Sequence, residues 1–307
     1  MKIFPILEFC LCYFFSFFLY QYVEAGDLQR YAQLYEVLST VTWTEVPETY
    51  FNIVGGTELG YGYLMWLFAH TGIAKNFVLS FFNAILLCSL STLLKKYRVE
   101  FVPRILIFTN YYLILILLNA ERFKFAVLLS LIAITYLHST KRTLVLASSI
   151  LFHLQMIPLL AGVVLSQYYQ ALASFLLRLK YRITHLIAIP IIIATLPLII
   201  HLVTGKFGYY SAISNGLSET YGLIFLCFLT SYLTKNYVRI PLLFAPLLIA
   251  CYFVGSDRVN VMGFFLAFYE IMLARKTSHF GSLTMLGYLS IKSVPFLNNL
   301  ITTGSGF

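Results

Sequence analysis

The sequence predicts an all-α, polytopic integral membrane protein with about ten transmembrane helices. Three observations predict it. Of 307 residues, 60% are hydrophobic and only 11% charged, with a mean hydropathy of +0.84, far from the balance of a soluble chain of this length. The apolar residues come in runs long enough to cross or nearly cross a bilayer, separated by polar turns. When successive runs alternate in direction, 15 of the 21 Lys and Arg fall on one side, which the positive-inside rule makes the cytoplasmic one.

A first span covers Ile3 to Tyr20, with one Lys before it and no small-residue cleavage site after it, so it is expected to be retained. It opens into an outer polar segment, 21–57, that is rich in acids and has Arg30 as its one cation. Gly60 to Gly72 is aromatic and too short to cross, hence a surface or re-entrant piece. Phe77 to Leu94 is span two and ends inside at Lys95-Lys96-Tyr97-Arg98. Arg104 to Leu118 goes out, and Phe123 to His138 returns to Lys141-Arg142. Between that pair and Arg178-Leu179-Lys180-Tyr181-Arg182, also inside, residues 143–179 must form a hairpin of two short helices broken near Phe152 to Pro158. Span seven (184–203) leads to an outer loop, 204–220. Spans eight (221–234), nine (240–254) and ten (259–274) complete a single transmembrane domain at 1–276, and 277–307 is expected as a cytoplasmic tail made of an inner-face interfacial helix and a frayed end.

Between spans three and four stands Asn119-Ala120-Glu121-Arg122-Phe123-Lys124. Asn119 suits an N-cap, placing Arg122 in a first helical turn where free backbone N–H groups favour an anion. The competing reading has Arg122 and Lys124 snorkelling to head groups while Glu121 pairs with Lys124. Arg258 repeats the pattern behind Ser256 and Asp257. Two arginines on outward helix N-termini suit a pyrophosphate, because guanidinium matches phosphate oxygens with a two-donor fork. Asp27, Glu58, His153 and the 204–220 loop fall on the same outer side. Glu58 precedes Gly60, Tyr61 and Gly62, where glycines permit close approach and tyrosines could stack on sugar rings or line a membrane interface. His153, in an apolar stretch, is either a hydrogen-bonded core residue or a catalytic group.

The formal charge of +9 is accounted for by the cytoplasmic loops and does not point to nucleic acid. Five cysteines lie inside apolar runs without metal-ligand spacing. There is no phosphate-binding Gly-rich loop, zinc-protease motif, hydrolase elbow or cofactor fingerprint, which disfavours an ATP-driven pump or zinc protease. No cofactor or metal is expected.

The order Gly26-Asp27 with Tyr31 and Tyr35, then Glu58-Leu59-Gly60-Tyr61, Arg122 with Ala126, Phe152-His153-Leu154 and Asp257-Arg258 resembles the EpsG/Wzy-type family of bacterial polysaccharide (O-antigen) polymerases. The resemblance covers most of 1–276 in layout. It implies a C-type, integral-membrane glycosyltransferase at the periplasmic face of the inner membrane. Such an enzyme moves a growing glycan from undecaprenyl pyrophosphate onto an incoming lipid-linked repeat unit. On this resemblance Asp27, Glu58 and His153 are catalytic candidates, with Asp27 or Glu58 as acceptor base or clamp. Arg122 and Arg258 would hold the pyrophosphate, Tyr61 and Asp257 the substrate. The implied partners are the undecaprenyl-pyrophosphate-linked oligosaccharide, membrane lipids and a chain-length regulator protein. Two other classes fit the same charges: a polysaccharide transporter or flippase, distinguished by a midplane site between inverted repeats, and an O-antigen ligase, which shares the donor chemistry.

Overall fold

A computed structural model describes residues 3–22, 27–178, 217–254 and 257–304. Span seven and most of the 204–220 loop lie outside the described residues. Among those described, every regular element is helical and none is a strand. The chain forms two compact units, Met1–Met156 with Thr277–Phe307, and Ile157–Lys276.

In the first unit, α1 (Ile3–Tyr20) lies along α5 (Lys75–Lys96). Phe17 stacks on Phe77 at 4.8 Å, and Phe9 meets Phe81 edge-on at 5.8 Å. Asn83, wholly buried in α5, donates to Ser16 Oγ (2.6 Å) and to the Leu117 carbonyl (3.0 Å), so one amide ties three helices together. At 22 residues, α5 is about 33 Å long. Among the described residues it is the one unbroken helix long and apolar enough to cross a membrane.

The run expected as span three is broken. It forms α6 (Phe101–Phe108) and α7 (Tyr111–Leu118), bent by 42° where Asn110 starts a new helix by accepting the Tyr112 N–H at 2.9 Å. The pair still meets the length and hydropathy of one span. α8 (Glu121–Tyr136) returns against α5, followed by α9 (Ser139–Ser148) and a 3₁₀ turn at Ser149–Leu151. α10 (Met156–Arg178) starts only after a break at 152–155, inside the interval where the hairpin was expected to turn.

The acidic segment differs from expectation. The acidic segment 21–57 folds into α2 (Asp27–Leu38), a 3₁₀ turn (Trp43–Glu45) and α3 (Val46–Val54), which pack on each other and on α4 (Leu59–Ala69). The reason is a helical stripe at 31, 34, 35 and 38: Tyr31, Leu34, Tyr35 and Leu38 are buried while the charges between them face out. The tail, expected as an interfacial helix with a frayed end, is one 24-residue helix, α11 in order of description (Phe280–Thr303), packed on α6 and α7 within the first unit. Met285, Leu286, Leu289, Phe296 and Leu300 are buried, whereas Tyr288, Ile291 and Val294 on the other side are exposed.

The second unit contains α12 (Leu217–Thr234), α13 (Arg239–Val254) and α14 (Asp257–Leu273), each packed on the other two. Arg239 forks onto the Glu270 carboxylate with bonds of 2.6 and 2.8 Å, fastening the start of α13 to the end of α14. Arg98, Lys235 and Arg275 each close a helix with positive φ (55–56°), placing a cation at a C-terminus where the helix dipole favours one.

Candidate functional site

The site is assembled from four pieces of the first unit. α3 ends on Gly55, whose left-handed backbone (φ 69°) reverses the chain. Gly56 then passes so close to α8 that a Cβ there would lie 2.7 Å from Arg122 Nη1 and 2.8 Å from the Tyr50 hydroxyl. This approach delivers Glu58, at the N-cap of α4, to Arg122, the second residue of α8. Arg122 Nη1 donates to Glu58 Oε2 at 2.8 Å and reaches the Tyr50 hydroxyl at 3.4 Å; its guanidinium lies 5.8 Å from the centre of the Tyr31 ring. The backbone N–H of Thr57 also donates to Glu58 Oε2, at 3.2 Å.

The break before α10 supplies His153. Its ring packs edge-on against Phe123, and Nδ1 stands 3.8 Å from Glu58 Oε1. Nε2 meets Gln155 Oε1 at 2.8 Å. With its amide oxygen towards the ring, Gln155 accepts from an Nε2–H, and Nδ1 is the ring nitrogen that faces Glu58. Burial pushes the Tyr50 hydroxyl well above its ordinary pKa, with the Arg122 charge opposing, so it remains a neutral hydroxyl. The arrangement can accept a proton at Glu58, pass it towards His153 and offer guanidinium to an anion.

A second polar cluster begins one residue earlier. Glu121 accepts from the Tyr61 hydroxyl at 2.5 Å and pairs with Lys75 at 2.8 Å. Lys124 is wholly buried and donates to the Tyr20 hydroxyl, which donates to the Leu117 carbonyl at 2.8 Å. Two expectations are corrected here. Lys124 does not snorkel, because its ammonium is held inside by Tyr20, and Glu121 has Lys75 and Tyr61 as its bonded partners. Asn119 does not cap α8: it is the C-cap of α7, with its N–H on the Leu115 carbonyl, and Ala120 occupies the N-cap position.

Of the residues singled out in the sequence, Glu58, Arg122 and His153 come together. Tyr61 adjoins them differently from expectation. It is wholly buried, with Tyr31, Tyr50 and Phe125 around it at 5.4–6.3 Å, so no ring face is open to a sugar. Asp27 opens α2, one turn before Tyr31, and Asp257 and Arg258 open α14 in the second unit; the side chains of these three lie outside the described residues. Among the described residues no three His, Cys, Asp or Glu side chains gather as metal ligands.

Tyr50 and Gln155 join the site without having been given a role. Tyr50 is one tyrosine among 23, and only the Gly55-Gly56 pair that follows marks the turn that brings it in. A comparison with known protein families, curated proteins and solved structures gives no match to the chain.

Proposed function

We propose that this chain is an integral-membrane glycosyltransferase of the EpsG/Wzy polymerase kind, acting on undecaprenyl-pyrophosphate-linked glycan at the periplasmic face of a bacterial inner membrane. The observation that carries the reading is the meeting of Glu58, Arg122 and His153, drawn from three distant segments, in one charged cluster with Tyr50. In the proposed step the acceptor hydroxyl gives its proton to Glu58 and its oxygen bonds to the donor's anomeric carbon. The bond from that carbon to the pyrophosphate oxygen breaks, and the electron pair leaves on undecaprenyl pyrophosphate, whose charge Arg122 takes up. Glu58 must exchange Arg122 for the acceptor hydroxyl as substrate arrives, which frees the guanidinium fork for the pyrophosphate. His153 is placed to receive the proton from Glu58.

A membrane setting is supported by α5 and by the α6–α7 pair, each with the length and hydropathy of one span, and by the exposed Tyr288, Ile291 and Val294 on α11; the count of about ten spans comes from the sequence. Apolar side chains outside the bundle are what lipid contact requires. From its sequence pattern, Arg258 at the start of α14 is assigned the same pyrophosphate-binding role as Arg122.

The test is Arg122→Lys and Arg258→Lys, each expressed at wild-type level, with the surface glycan resolved by length. Lysine keeps the charge and loses the planar fork, so the long-chain ladder should vanish and leave single repeat units on lipid A core. A transporter would lose the single-unit band as well, and a ligase would lose every glycan joined to lipid A core. A normal ladder from both variants would sink the proposal.

A further inference from the structure

α4 is apolar on every side but packed on only one. No Asp, Glu, Lys or Arg occurs from Leu59 to Ala74. Tyr61, Gly62, Met65 and Ala69 turn inward, where α2, α3 and α5 cover them. Leu59, Tyr63 and Leu67, each four residues from the next, share the other side with Trp66, and Leu67 is 56% exposed. A helix that meets water carries polar residues on its free side, whereas one that is apolar all round is bordered by protein or lipid. At 11 residues, about 17 Å, α4 is too short to cross a bilayer.

The free side ends in an aromatic cluster. Trp43, from the 3₁₀ turn, lies over Tyr63 with ring centres 4.0 Å apart, meets Trp66 edge-on at 5.2 Å and is still 53% exposed. The Trp66 indole N–H donates inward to the Val41 carbonyl at 2.9 Å. Around Trp43 the surface turns polar: Thr42, Thr44 and Glu45 are exposed, and the Glu45 carboxylate accepts the Thr42 N–H and hydroxyl, both at 2.8 Å, which holds the turn. Aromatic rings between an apolar stretch and a polar edge are the pattern of a membrane–water boundary. The chain then runs through exposed Ile73 into α5, whose exposed Phe77 and Phe81 belong to the helix of spanning length. The free side of α4 thus continues a lipid-facing surface. α2, by contrast, exposes Arg30, Gln33 and Glu36, a side that suits water.

We propose that the free side of α4, together with Trp43, is embedded in the head-group boundary of the bilayer, so that α2, α3 and α4 form a cap seated in the leaflet with the charged side of α2 in water. The placement rests on the membrane setting proposed above and not on glycan transfer. Glu58 is the N-cap of α4, so the boundary that holds this helix also holds the Glu58–Arg122 pair.

The two tryptophans of the chain both belong to this cluster, so the emission of the wild-type protein reports on it without any substitution. The purified full-length chain is reconstituted into phosphatidylcholine vesicles whose acyl chains carry bromine either near the head group or near the bilayer centre, floated on a density gradient, and titrated with iodide on both sides of the bilayer. Head-group bromine should lower the emission at least about twofold, and more than centre bromine or iodide does. Gln33→Trp, on the water side of α2, should add emission that iodide quenches and bromine does not. Iodide quenching of the wild type as strong as that of the added tryptophan overturns the proposal, because the surface is then open to water and to soluble ligands. Quenching by neither agent overturns it in favour of a covering protein, and stronger quenching from the bilayer centre overturns the boundary depth. A chain that floats with the vesicles but is quenched by iodide keeps its membrane setting and loses only the embedded cap, whereas a chain that does not float loses both. The glycan ladder of the Arg→Lys variants is decided separately from either result.

Discussion

Glu58 and Arg122 form a buried ion pair, with side chains 2% and 12% exposed, and the desolvation of each charge is tolerated because the other is 2.8 Å away. Removing one partner leaves the second charge stranded. Glu58→Ala should therefore lower folding stability by about 3–5 kcal/mol, while the double change Glu58→Ala with Arg122→Leu should recover much of that loss. Denaturant unfolding of the purified chain in mild detergent checks this, and a double variant as weak as the single one would show that the pair is not the source of the cost. Glu58, Arg122 and His153 were legible in the sequence because ionisable groups beside apolar runs are few and their placement is constrained. Tyr61 was legible as a site neighbour but not as a buried one, since a tyrosine in a glycine-rich stretch reads equally as a stacking platform and as core. The helical spacing behind the Glu121–Lys124 pairing held a further clue. Glu121 and Lys124 are three apart and share a face, while Arg122 points elsewhere, so two clusters around α8 were implicit.

At the level of elements, α5 and the break before α10 were legible, the first from an apolar run of spanning length and the second from cationic ends that force a hairpin. α2 and α3 were not, because the density of acids between residues 24 and 58 masked a four-residue buried stripe. α11 was legible as a helix but not in its packing, because its Ser, Asn and Lys lower the contrast of the side that packs on α6 and α7. Helix starts are where local chemistry decides. Asn110 caps α7 through its side chain, whereas Asn119 only ends that helix and is not the cap of α8. Asn110→Ala should cost about 0.5–2 kcal/mol. Asn119→Ala should cost less. Thermal midpoints of the two variants decide it, and the reverse order would contradict the capping assigned to Asn110.

For the whole molecule, the proposed topology puts Glu45 outside and Lys141 inside. Both positions are exposed in the fold, so a single cysteine at either one, in a background with the five native cysteines replaced by Ser, tests orientation without disturbing packing. Intact spheroplasts treated with a membrane-impermeant maleimide should label Glu45→Cys and leave Lys141→Cys unlabelled until lysis. Labelling of both before lysis would remove the membrane topology, and with it the outer placement of the Glu58 cluster. The cations carried this orientation in the sequence because Lys and Arg near helix ends are sorted by insertion. How the acidic segment folds into α2 and α3 was set by tyrosine and leucine packing, which charge counting does not see.

Glu121 and Arg122 are neighbours in sequence, and each is bound into a different cluster. Their Cα atoms are fixed at about 3.8 Å across one peptide bond, so α8 cannot shift to serve one cluster while leaving the other at rest. Lys75, Tyr61 and the buried Lys124–Tyr20 contact thereby act as a brake on Arg122. A shift of the α8 backbone that serves one cluster therefore displaces the anchor of the other. The first turn of α8 is a rocker with a load on each arm.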